Sequence, residues 1–119
     1  MGDVLDEVRA ERARQDEKWG VRDHPDDDPT AWWYNSRDRG ARERRAAELE
    51  VPSEHRAQFL TESAARMRAV TWGHILVEEL AEAVDAIGDS SALRSELIQV
   101  AAVAVAWIEA IDRREVDRG

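Results

Sequence analysis

The segment His74–Trp107, HILVEELAEAVDAIGDSSALRSELIQVAAVAVAW, decides how this chain folds. On a helix turning about 100° per residue, Leu76, Val77, Leu80, Ala81, Val84 and Ile87 fall on one side. Glu78, Glu79, Glu82 and Asp85 fall on the other. Gly88 and Asp89 stop that helix, and Ser90 or Ser91 can cap the next. The next helix, predicted over 91–113, is apolar from Leu97 to Ile108 except at Gln99. A helix that is apolar all round is expected to be buried all round. Yet it carries Glu96 at its entrance, and a buried carboxylate is costly without a paired cation or metal. The helix dipole relieves such a charge by only about 1 kcal/mol.

Taken alone, the acidic side of the first helix reads more readily as a solvated face. Like charges at i, i+3 (Glu79, Glu82) and i, i+4 (Glu78, Glu82) weaken an isolated helix slightly, a penalty the sequence tolerates. Glu96 changes the reading. A short GDSSALR connection makes the two helices antiparallel neighbours and brings Glu96 toward the later part of the acidic face. Side-chain oxygens then cluster between helices, which is how bundles build carboxylate metal sites. All-oxygen ligands suit hard ions, here Mg²⁺ or Mn²⁺ bridging phosphates. With no cysteine and no histidine pair at zinc spacing, a structural zinc site is not expected.

Working outward, 119 residues suffice for one domain, 1–119, with a modest core. The formal net charge of -9 argues against a nucleic-acid ligand. Lys18 is the only lysine. The N-terminus is charged from Asp3, unlike a secretory signal. The apolar run is shorter than the roughly 20 residues a membrane span needs. The expectation is a soluble cytoplasmic domain without disulfides.

A first helix is predicted over 3–19, stopped by Gly20. Residues 20–36 hold two prolines, Asp23, Asp26, Asp27 and Asp28, and the aromatics Trp32, Trp33 and Tyr34; this is loop chemistry. Its aspartates read as a solvated turn, and its aromatics as packing over the bundle. An arginine-rich solvated helix is predicted over 37–50. Core helices follow over 53–88 and 91–113. Ser53 caps the former, which presents Phe59, Leu60, Ala64, Met67 and Val70 at helical spacing and either continues through TWGH or bends at Gly73. No strand alternates convincingly, so the fold class is all-α, a helical bundle.

The two core segments, EELAEAVDA and ELIQVAAVAVAW, resemble the MazG-like superfamily of all-α nucleoside triphosphate pyrophosphohydrolases, whose signature is EExxE on one helix and ExxD on the next. The resemblance covers Trp72 to Arg113. ERARQDEKWG, with His24 and Pro25 just after, is similar to one subgroup. What this implies is a bundle of that type, a Mg²⁺-dependent conversion of (d)NTP and water to (d)NMP and pyrophosphate, and a homodimer or homotetramer. By position, Glu79, Glu82 and Glu96 match metal ligands, and Glu78 matches the leading acid, a base for the attacking water. The fourth ligand position is Gln99, where the family pattern has aspartate. An amide oxygen can ligate a hard ion but brings no charge. A nucleotide-binding or regulatory protein with weak or no catalysis is therefore the alternative. Asp85 is a candidate to compensate, and Lys18 and Trp19 are candidates to meet a phosphate and a base. His74, one turn before Glu78, can either bond to it or sit on the helix surface.

Overall fold

The computed structural model describes residues 3–118, with side chains to Val116. Five helices follow one another: α1 Val4–Trp19, α2 Arg39–Glu48, α3 Glu54–Arg66, α4 Trp72–Asp85 and α5 Ser90–Arg118. No strand occurs among the described residues, so the chain is all-α.

Two compact units are distinguished. In one, α1 is accompanied by the part of α5 from Val105 onward. The start of α1 closes a capping box: Asp6 N–H donates to the Asp3 carboxylate at 2.9 Å, and Asp3 N–H donates to Asp6. Gly20, at φ 71°, ends the helix and returns its N–H to the Asp16 carbonyl. Ion pairs along α1, such as Arg9–Asp6 and Arg12–Asp16, are solvent-exposed and contribute little each.

The other unit, Asp26–Ala104, holds the core. Here α4 packs against α3 and α2. Ala46, Val84 and Ile87 form the buried cluster, with Val51 and Leu93 against it. Burying Val84 and Ile87 stabilises the unit by about 2 kcal/mol each.

Residues 53–88 are not one continuous or gently bent helix. The chain breaks between Met67 and Thr71, where Arg68 takes φ 54°. Thr71 then caps α4, its hydroxyl accepting the His74 N–H while its own N–H donates to His74 Nδ1 at 3.0 Å. The break therefore precedes Gly73, and His74 serves the cap rather than Glu78. Ser53 caps α3 as expected, accepting from Arg56 N–H at 3.1 Å. At α5 the capping residue is Asp89, which accepts from Ala92 N–H at 3.1 Å, rather than either serine.

Two further expectations are corrected by burial. Phe59, Leu60, Met67 and Val70 are exposed, Met67 at 78%; Met67 and Val70 lie at and after the end of α3, where the chain leaves the helix. None of the described residues of α5 is buried, so the apolar helix is not enclosed by its own chain. A stretch of α5 is long and apolar enough to span a membrane by length and composition alone. Core helices of soluble proteins pass the same test but are mostly buried, whereas none of this stretch is.

Candidate metal centre

The centre lies in the unit Asp26–Ala104, where α4 faces the first turns of α5. Glu79 and Glu82 share a face of α4 because they are three residues apart. The turn between α4 and α5 contains Gly88 at φ 105°. A Cβ there would stand 2.7 Å from the Asn35 carbonyl oxygen, so only glycine fits. After this turn, α5 presents Glu96 back toward α4. Carboxylate oxygens of Glu79, Glu82 and Glu96 lie within 4.8 Å of one another, and all three residues are half-buried. Among the described residues, no ion pair with arginine or lysine reaches any of them.

Three carboxylates held together without a cation repel. Burial, reinforced by the charges of Glu79 and Glu96, pushes the Glu82 carboxyl up to about 7. A hydrogen bond with Glu96 and the charge of Glu54 act in the same direction. The donor set is all oxygen and drawn from two helices. That chemistry fits a hard divalent cation better than a soft one.

Glu54, which sequence reading did not single out, adds a fourth acid to the neighbourhood. It begins α3 directly after the Ser53 cap. Burial first, then the charge of Asp85 and a hydrogen bond with it, raises its carboxyl above the usual range; Glu96 adds to this and Arg42 opposes it. Its only sequence signal was a carboxylate at a helix N-terminus, which the dipole explains without any site.

The remaining expected residues are distributed as follows. Glu78 is half-buried on α4, outside the trio. Gln99, three residues beyond Glu96, is exposed. Asp85 is engaged by Arg42, whose Nη1 donates to both carboxylate oxygens at 3.2 and 3.3 Å. Lys18 and Trp19 belong to the other unit, where Lys18 Nζ stands 4.8 Å from the Trp19 ring centroid.

In the loop before α2, Asp23, Asp26 and Asp28 are exposed, as a solvated acidic turn requires, but Asp27 is not. Asp27 and Arg45 are buried together, Arg45 at 2% exposure, with Nη2 donating to Asp27 at 2.8 Å and to the carbonyls of Trp33 and Ser36. Asn35 and Asp28 donate backbone N–H groups to the same carboxylate. Burial alone would push Asp27 up, but these hydrogen bonds and the Arg45 charge hold it below the usual carboxylate range. Arg37 anchors the loop's end by donating to the Asp85 and Ile87 carbonyls near the end of α4. Of the aromatics, Trp33 is half-buried while Trp32 is 73% exposed.

Comparisons with protein-family models, with curated proteins and with solved structures return no match.

Proposed function

We propose that this chain is a Mg²⁺-dependent nucleoside triphosphate pyrophosphohydrolase of the MazG-like type. One observation supports the reading above others: Glu79, Glu82 and Glu96, the residues that match the EExxE and ExxD signature, converge within 4.8 Å on facing helices. These three would hold the ion, which supplies charge neutralisation at the phosphate oxygens and lowers the pKa of water. Glu82 would have to give up its proton for a cation to be held there, so ion and proton would compete for the same oxygen. Glu78, on the adjacent flank of α4, accepts a proton from the attacking water. A triphosphate approaching four carboxylates would be repelled without the cation, so binding and chemistry share one requirement.

A second reading rests on Gln99, which stands exposed where the signature has an acid. In that reading the chain binds nucleotide with little or no turnover. Homo-oligomerisation belongs to either proposal: exposed Leu97 and Ile98 on α5 support a second copy as the cover for this helix.

The test is incubation of the pure protein with a (d)NTP panel and Mg²⁺ or Mn²⁺, with pyrophosphate and monophosphate quantified. Turnover that disappears in Glu79→Ala, together with Mn²⁺ binding, is the expected result. Nucleotide-dependent thermal stabilisation without turnover selects the binder. Gln99→Asp should then raise Mn²⁺ affinity, and an unchanged affinity shows that position 99 is not a ligand.

A further inference from the structure

A cavity of about 380 Å³ opens between α2, the start of α3 and α4, beside the carboxylate trio. Its floor includes the methyl groups of Ala46 and Ala81, both buried. Any larger side chain at either position would occupy the space, so the cavity exists because two facing helices carry alanine. Arg42, Glu54, His55 and Asp85 stand around that floor, and Arg39 and Glu43, themselves paired at 2.9 Å, form an exposed rim. Glu54 links the cavity to the metal centre, since it meets Asp85 and also feels the charge of Glu96.

The lining sets the chemistry of an occupant. Three carboxylates and two guanidinium groups leave a formal excess of one negative charge with His55 neutral. A free anion is therefore disfavoured, and a phosphate is better placed on the neighbouring cation. A flat, neutral ring with donors and acceptors side by side is matched instead. Its amino group donates to Asp85 or Glu54, and its ring nitrogen or carbonyl accepts from Arg42. Carboxylates recognise exocyclic amino groups, and arginine recognises ring nitrogen and carbonyl acceptors, by this same geometry in base reading generally. The small alanine floor admits such a ring face-on.

Resting on the nucleotide reading above, we propose that this cavity is the base-recognition subsite, selective for nucleobases that carry an exocyclic amino group. Uracil and thymine lack that group and forgo its hydrogen bond to Glu54 or Asp85, a loss of about tenfold in affinity.

The histidines supply the probe. Of the chain's three, His55 lines the cavity, whereas His24 lies in the acidic loop segment. Imidazole proton NMR signals are followed at constant pH in chelator while cytidine, adenosine, guanosine, uridine or thymidine is added. Neither metal nor phosphate is present, so the measurement does not depend on hydrolysis. The expected result is a saturable shift of the His55 signals with the amino-bearing nucleosides, about tenfold weaker with uridine and thymidine, and His24 unmoved. Ala81→Leu should abolish the shift; if that variant does not fold, the wild-type titration still decides. No His55 response to any nucleoside, an equal response to uridine, or a response to pyrophosphate alone overturns the proposal. Turnover of (d)NTPs with a silent His55 would sink the subsite and leave the enzyme reading intact. Nucleoside binding without turnover would do the reverse.

Discussion

At the scale of single residues, Glu82 decides most. Its folded pKa of about 7 lies above the ordinary value of 4.5, so the folded chain holds an extra proton between those values. The associated stability is fully present below about pH 4.5 and is lost as pH rises through about 7. Glu54 shifts in the same direction. The effect of Glu82 is at most about 3 kcal/mol, and solvent access to a half-buried group reduces it. Asp27 acts oppositely, its contribution being lost only as pH falls below its ordinary 3.8, outside that window. Urea denaturation in chelator from pH 5.5 to 8 should therefore show a falling midpoint. Mg²⁺ should flatten that slope, as should Glu82→Gln. A wild-type midpoint independent of pH would show that the three carboxylates do not interact as described.

At the scale of elements, the loop before α2 is held by one buried ion pair. Removing one partner of such a pair leaves the other charged and desolvated, at a cost of about 3–5 kcal/mol. Asp27→Ala should lower unfolding stability by that amount, measured by urea or thermal denaturation. Replacing both partners with apolar residues, Asp27→Leu with Arg45→Met, should recover most of the loss. Arg45 Nε and Nη1 are buried without a hydrogen-bond partner, so the wild-type pair is itself imperfectly compensated.

This pair also marks where sequence reading reached its limit. Glu79 and Glu82 were legible because helical spacing alone puts them on one face, and Glu96 because a short turn returns α5 along α4. Local periodicity and turn chemistry suffice to set the four acids of α4 near Glu96, and the resemblance to the EExxE signature narrowed them to Glu79 and Glu82. Asp27 and Arg45 are 18 residues apart in stretches that read as solvated, and nothing local distinguishes them from their exposed neighbours. Glu54 was hidden for a similar reason: its partner Asp85 lies on another helix. The break before Thr71 was missed because Met67 and Val70 continue the helical spacing of α3. It is a Thr–His capping box, not a glycine or proline, that restarts the chain.

At the scale of the whole molecule, the largest departure from expectation is α5. Leu97 is 49% exposed and Ile98 52%, on the same turns that carry Glu96. Covering such residues with a second copy removes apolar surface from water at about 25 cal/mol per Å². Light scattering at micromolar concentration should give a mass at least twice 13.5 kDa. The double variant Leu97→Glu, Ile98→Glu should shift that mass toward the monomer. A monomeric wild type would show that α5 needs no second copy.

Were α5 completed by another copy of the same chain, as proposed, folding would become a bimolecular matter. The unfolding midpoint would then rise with protein concentration, because each chain would act as a stabilising ligand for its partner. Dilution alone would loosen the scaffold that presents Glu96. The level at which a cell expresses this protein would set the fraction of chains competent to hold an ion, before any metal or nucleotide is counted.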